Sequence, residues 1–272
     1  MTGRRPGRSR RARLRRLIEY WPALAIGAGA LLFWELFGAV TGMPRYILPP
    51  MHEVMIAAVV DAKSQYIPAG LVTLQEILLG FFLGTAAGVG VAGVLTTSAR
   101  LEAAVMPLMA GLRAVPVLVV APLFVIWFGF GLEPKVMVAG FVCFFPVLVS
   151  TVVGLKSAPE SELALFRALM ASPGQVYLKL KIPYAMPHIF VGVKSAAVLS
   201  VIGAIVGEWV GGGSGIGVIL IRATIANATT ALLAGVIYIA SAAVVMFLTI
   251  EILERVLLRW YYESRAAGGD AS

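Results

Sequence analysis

Six apolar runs, each near twenty residues long and nearly free of charge, constrain this chain more than any other feature. A helix rises about 1.5 Å per residue, so about 20 apolar residues cross the hydrocarbon core of a bilayer. Runs of this kind fall at about residues 21–40, 74–95, 104–128, 135–155, 187–210 and 231–253. Only 13% of the 272 residues are charged and 60% are hydrophobic, whereas a soluble domain carries about 25% charge. The pattern predicts an all-α, polytopic membrane protein with about six transmembrane helices.

A net charge of +8 suggests nucleic acid until the charges are placed. Arg4, Arg5, Arg8, Arg10, Arg11, Arg13, Arg15 and Arg16 all precede the first apolar run. With the amino terminus in the cytoplasm, Arg100, Lys156, Arg167, Lys179, Lys181, Arg255, Arg259 and Arg265 fall on the same side. The other side receives only Arg45, Lys63, Lys135 and Arg222. This is positive-inside sorting, with both termini cytoplasmic in an inner (plasma) membrane, and the tail arginines are placed to bind anionic lipid headgroups rather than nucleic acid. Ser9-Arg10-Arg11 is a poor export signal, because further spans follow and no small-residue cleavage site does. The organisation expected is a basic cytoplasmic tail over 1–20, a transmembrane domain over 21–255 with a cytoplasmic loop at 156–186, and a second cytoplasmic tail over 256–272.

Within the spans, small residues and prolines predict local geometry. Gly80, Gly84, Gly88, Gly90 and Gly93 crowd the second run, where spacings of four allow helices to pack backbone to backbone. Pro107, Pro116 and Pro122 predict a broken or kinked third span, because each removes a backbone donor. Such a break survives at membrane depth only where protein or a cavity covers it. A short amphipathic stretch over 52–63 precedes the second run.

The loop at 156–186 carries ordered signals. Ser157 stands three residues before Glu160, and Ser172 three before Gln175 with Pro173 between, so two capping-box helices are predicted. The first ends near Ala171, and the second stops before Pro183. Leu163, Phe166, Leu169 and Met170 recur at helical spacing on a segment outside the lipid. Either a soluble partner or the chain's own membrane helices must cover that face.

Little material exists for chemistry. Cys143 is alone, so neither an intrachain disulfide nor a cysteine zinc site is available, and His52 and His188 lie far apart. No catalytic residue, cofactor or metal site is expected. The cluster Gly211-Gly212-Gly213-Ser214-Gly215-Ile216-Gly217 offers backbone N–H groups that suit an anion, but no lysine follows as in a phosphate loop, and a flexible or re-entrant connection is the reading adopted. Among ionisable residues in or near spans, Glu76 and Arg113 are assigned to helix ends and Lys194 to snorkelling. Glu35 and Glu208 remain as candidates for a solute pathway. A stand-alone secondary transporter or channel is the alternative class, although neither inverted repeats nor a line of intramembrane carboxylates is evident.

Ala164-Leu165-Phe166, three residues, Met170, nine residues, and Leu180-Lys181-Ile182-Pro183 resemble the spacing of the EAA loop of ABC importer permeases. That pattern reads Glu-Ala-Ala, three residues, Gly, nine residues, Ile-x-Leu-Pro, so Ala164 replaces its acid and Met170 its glycine. The resemblance runs from about Trp34 to Tyr261, through Tyr46-Ile47-Leu48-Pro49-Pro50, Thr73-Leu74 with Gly80-Phe81, Trp127-Phe128-Gly129-Phe130-Gly131, Phe144-Phe145-Pro146 and Gly207-Glu208-Trp209. It is similar to permeases of the nitrate, sulfonate and taurine group. The resemblance implies a type I importer pore, homodimeric, whose loop residues Ala164, Phe166, Arg167, Met170, Ala171, Ser172, Leu180, Ile182 and Pro183 couple to a cytoplasmic ATP-binding subunit. It also implies an extracytoplasmic substrate-binding protein that delivers a small solute, an anion before a pyrimidine or riboflavin-like nutrient. The chain lacks a Gly-x-x-x-x-Gly-Lys-Ser/Thr motif, so hydrolysis belongs to another subunit and this one is not an enzyme.

Overall fold

The computed structural model describes residues 8–259 and 261, so Arg4, Arg5 and Arg265 lie outside the described residues, as do the side chains of Arg8, Arg10, Arg11, Arg13, Arg15 and Arg16. Eleven helices are described: α1 (Arg8–Thr41), α2 (Met51–Val60), α3 (Ile67–Leu95), α4 (Ala99–Arg113), α5 (Val117–Phe128), α6 (Leu132–Leu155), α7 (Glu160–Ala168), α8 (Pro173–Val176), α9 (Ile182–Gly211), α10 (Ile216–Ile225) and α11 (Thr229–Leu257). Helix satisfies every backbone donor and acceptor within its own segment, which is what hydrocarbon demands.

Four helices, those ending in α3, α6, α9 and α11, are long and apolar enough to cross a membrane, and α4 with α5 make a fifth element bent by 97°. The apolar stretch Ala25–Gly38 within the 34-residue α1 stands where the first run was predicted. The predicted break in the third run is therefore present, and Pro116 makes it: it stands at the N-cap of α5 with extended ψ of 127°. Pro107 and Pro122 remain inside their helices.

The bundle is organised around α6, which packs against α3 on one side and α9 on the other. Both seams are cut by glycine. A Cβ on Gly80 or Gly84 would collide with Ala139 and with the Gly140 carbonyl, and one on Gly88 would lie 2.9 Å from the Phe144 carbonyl. Across the other seam, a Cβ on Gly192 would meet the Pro146 carbonyl at 2.8 Å, and one on Gly203 the Ala139 Cα at 2.6 Å. In lipid the apolar contact between helices gains nothing over contact with acyl chains, so this closeness, which maximises dispersion contact, is what holds the three together. Gly90 meets open space and Gly93 only the Tyr177 hydroxyl, so three of the five glycines predicted to pack form the helix seam.

Two prolines lie inside continuous helix, one of them Pro183, where the sequence predicts a stop. Pro68 sits in the first turn of α3, which runs on from a widened turn over Ala62–Tyr66 closed by Ile67 N bonding to the Ala62 carbonyl, so the helical segment starts at Ala62, not near residue 74. Pro183 lies just inside α9, which runs on from α8 through a widened turn over Tyr177–Lys181, closed by Ile182 N bonding to the Tyr177 carbonyl. The wider i→i+5 turn moves the preceding carbonyl out of the ring's way, so the chain passes a proline without stopping. The segment from Pro173 to Gly211 is therefore one continuous apolar rod.

Candidate coupling surface and buried polar cluster

At the end of the bundle formed by residues 156–186, α7 begins differently from the sequence prediction. Ser157 does not cap it: its hydroxyl donates to the Gly154 carbonyl at 2.7 Å, and Pro159 occupies the N-cap. Pro159 holds extended backbone there and leaves no room for the Ser157 cap two residues earlier. The second capping box forms as predicted, with Gln175 N donating to Ser172 Oγ at 3.3 Å and Ser172 N to Gln175 Oε1 at 2.8 Å.

The C-terminus of α7 explains one departure from the loop pattern. Met170 N bonds the Arg167 carbonyl at 2.9 Å and Ala171 N the Phe166 carbonyl at 3.0 Å, the paired bonds of a Schellman ending. That ending places Met170 at φ +52°, a left-handed position that favours glycine. Replacing Met170 by Gly is expected to stabilise the turn by about 0.5–1 kcal/mol, read as slower amide exchange over residues 167–171.

The left-handed turn also divides the predicted apolar face. Leu163 and Phe166 are half-buried, while Leu165, Leu169 (70% exposed), Met170 (92% exposed) and Leu178 are exposed. Ala164 and Ser172 are exposed and Ala171 is half-buried; Leu180 is buried, with Ile182 and Pro183 half-buried behind it. Arg167 pairs with Glu160 along the exposed side of α7, and the Tyr184 hydroxyl donates to Glu162 Oε1 at 2.5 Å, tying α7 to the start of α9. At the mouth of the loop, Lys156 reaches Glu102 of α4 at 2.8 Å. The result is a short helix held on polar contacts with a row of aliphatic side chains facing outward.

The opposite end of the bundle carries a buried polar cluster. Lys135, in the first turn of α6, donates to Glu76 Oε1 at 2.8 Å and to the Ser214 carbonyl at 3.0 Å, and their side chains are only 5% and 1% exposed. Beside them, Glu208 accepts from Thr73 Oγ1 at 2.6 Å, from Val218 N at 3.3 Å and from Gly217 N. The glycine-rich stretch does cradle an anion, and the anion is the chain's own Glu208 carboxylate at the N-terminus of α10, where the helix dipole favours negative charge. Gly215, at φ +132°, is the N-cap, and any Cβ there would fall on the Glu208 carboxylate. Glu35 is similarly occupied: it accepts from Met51 N at 2.8 Å and contacts His52 Nδ1 at 2.6 Å, at the start of α2.

Glu76, Lys135 and Lys194 pair inside the bundle, where the sequence predicts a helix end, an outer-side charge and a snorkelling side chain. Glu76 was placed near a helix end because α3 was started too late; it lies in the third turn and is buried. Lys194 does not snorkel but meets Glu254 of α11 at 2.7 Å. Opposite charges on separate apolar runs were the available signal, but pairing them requires knowing which helices adjoin.

This fold is shared with known structures. A chain of the MetNI methionine ABC transporter in an inward-facing conformation superposes with a TM-score of 0.63 at 18% identity, over 72% of this chain and 97% of that one. The class defined is an ABC-importer permease fold. Residues 76–260 match the family described as binding-protein-dependent transport system inner membrane component, and the chain belongs to that family. The riboflavin transport system permease protein RibX of Chloroflexus aurantiacus is 32% identical over 249 residues, 88% of this chain and 91% of that one. The taurine transport system permease protein TauC of Escherichia coli is 29% identical over 262 residues, 92% and 95% of the two chains. The protein is thus a membrane-spanning permease, and its family implies an ATP-binding subunit and a substrate-binding protein as partners.

Proposed function

We propose that two copies of this chain form the pore of an importer in which an ATP-binding subunit docks on α7 and α8, with residues 156–186 and both termini in the cytoplasm. The observation that carries this reading is the outward row Leu165, Leu169 and Met170 on a helix outside the membrane runs. Exposed aliphatic residues held on a short rigid helix suit insertion into a cleft on a soluble protein. Arg167 at the edge of that row supplies a polar rim, and Leu180, Ile182 and Pro183 connect the loop to α9, so a push on α7 reaches the bundle core. The charge asymmetry along the sequence supports the orientation. In this arrangement residues 1–20 rest on anionic headgroups, residues 256–272 form the second cytoplasmic tail, and a substrate-binding protein meets the end formed by Gly129–Gly131 and Gly211–Gly215. Glu35 and Glu208 serve the path by positioning α2 and α10 at that end.

The solute is small and is delivered by the binding protein. The resemblance to the nitrate and sulfonate group and the taurine relative point to an anion; the riboflavin relative supports a heteroaromatic nutrient as a second reading. Proteoliposomes holding the permease and its ATP-binding subunit, with the binding protein added, are expected to accumulate the solute only when ATP and the binding protein are both present. Uptake driven by an ion gradient without ATP would overturn the importer in favour of a secondary transporter.

A further inference from the structure

Two buried carboxyl groups, those of Glu76 and Glu208, lie in direct contact, which the importer reading leaves unused. The side chains are hydrogen-bonded to each other, and neither is more than 1% exposed. Their closeness follows from the helices. Thr73, one turn before Glu76 on α3, donates to Glu208, while Lys135, which donates to Glu76 Oε1, lies along α9 against Gly207 and Gly211, the glycines that flank Glu208. Glu76 Oε2 is buried and receives no N–H or O–H from the described residues. An ionised carboxylate has acceptors only. Two of them therefore cannot hydrogen-bond unless a proton lies between them, and direct contact leaves no space there for a water or a metal ion.

We propose that this pair is a buried proton-binding site, in which one proton sits on Glu76 Oε2 and is donated to an ionised Glu208. The partners decide which residue carries it. Glu208 accepts from Thr73 Oγ1, Gly217 N and Val218 N at the N-terminus of α10, so the proton of Glu76 fills the last of the about four lone-pair sites of its carboxylate. Glu76 has one donor, Lys135. Charge leads to the same count. Lys135, Glu76 and Glu208, all at most 4% exposed, would bury a net negative charge if fully ionised, and with one proton they are neutral. The ammonium, the carboxylic acid and the carboxylate then form a chain in which each hydrogen bond polarises the next. Among the described residues, the charges that act on Glu76 are Lys135 of α6 and Glu208 of α9. Lys63, Glu133 of α6 and Arg222 of α10 are exposed, Glu102 of α4 pairs with Lys156, and Lys194 of α9 pairs with Glu254 of α11. The proton thereby ties α3 to α9 and to the entry of α10. The site goes beyond the importer reading and does not depend on the solute.

The test uses the full chain in lipid nanodiscs. Infrared spectra in deuterated buffer near neutral pH are expected to show, in wild type, the C=O stretch of a protonated carboxylic acid, and Glu76→Gln is expected to lose that intensity. The Gln amide gives Glu208 a permanent N–H and keeps an oxygen for Lys135, so it imitates the protonated acid. Glu76→Gln is therefore expected to melt at or above the wild-type temperature, whereas Glu208→Gln, which removes the charge that balances Lys135, melts well below it. Hydrogen exchange at the Gly217 and Val218 amides reads the tie to α10. Folding binds the proton, so the tie is intact at low pH and weakens as pH rises through the point of release. Wild type and Glu76→Gln are expected to exchange alike at about pH 6, and wild type at least tenfold faster at about pH 10; comparing the two at one pH cancels the intrinsic pH dependence of exchange. An acid band that is missing from wild type or unchanged in Glu76→Gln would overturn the site. So would a Glu76→Gln variant that melts well below wild type, as the loss of an ordinary ion pair with Lys135 requires, or equal exchange by the two at the higher pH.

Discussion

Replacing Leu169 and Met170 together by Asp is expected to strip the ATP-binding subunit from the purified permease and to reduce ATP-driven uptake at least a hundredfold. Both side chains point away from the bundle and neither contributes to the core clusters, so the change leaves the fold intact and acts on the exposed face alone. Burying two carboxylates in a hydrophobic cleft costs several kcal/mol unless each finds a partner, and exposed apolar anchors of this kind are worth about 1–2 kcal/mol apiece at an interface. Asp also tolerates the left-handed backbone at position 170, so the Schellman ending survives. Phe166 is a worse choice for the same experiment: it is half-buried, and an acid there would confuse lost docking with lost folding. Co-purification of the ATP-binding subunit with a properly inserted double variant is the measurement, and retention at wild-type level would remove α7 from the coupling path.

What the sequence made legible follows from the physics of each signal. Length and hydropathy mark spans directly because the bilayer imposes one dimension on every crossing helix, so α6, α9 and α11 stand where the apolar runs predict them. Glycines spaced by four located a seam, yet could not say that Gly84 faces Gly140 while Gly90 faces open space; that depends on the rotation of α3 against α6. Proline was read too literally. Pro183, where a stop is predicted, is carried through by the widened turn before it, whereas Pro116 breaks its span. Capping signals are similarly local and similarly contingent: Ser172 caps because Pro173 and Gln175 follow at the right offsets, and Ser157 does not because Pro159 displaces it. The buried cluster of Glu76, Lys135 and Glu208 was least legible, because its members come from three helices whose adjacency no local pattern encodes. The glycine cradle suggested by the sequence is filled by Glu208 itself, nine residues before Gly217 N and ten before Val218 N.

The second large effect concerns the seam that makes the bundle a bundle. Gly84→Leu is expected to destabilise the protein by more than about 3 kcal/mol and to cut the yield of folded permease severely, because the first added carbon already collides with the Gly140 carbonyl and lies 2.7 Å from Cys143 Cβ. A backbone carbonyl cannot rotate away as a side chain can, so α3 and α6 must separate, and overpacking of this kind costs 1–3 kcal/mol even where neighbours can give. Separation also opens the cluster that joins Phe81, Cys143, Val147 and Ala197 at the centre of the bundle. Gly90→Leu is the matched control: it lies on the same helix, six residues on, with nothing within 4 Å of its added carbon, and its side chain would face open space. There the substitution exchanges a flexible residue for a good helix former and is expected to be neutral or stabilising by up to about 1 kcal/mol. Thermal unfolding of the two variants in the same lipid nanodiscs separates position from composition. If both melt together, close backbone approach is not what holds α3 to α6, and dispersion along the glycine seam loses its place as the force that assembles this permease.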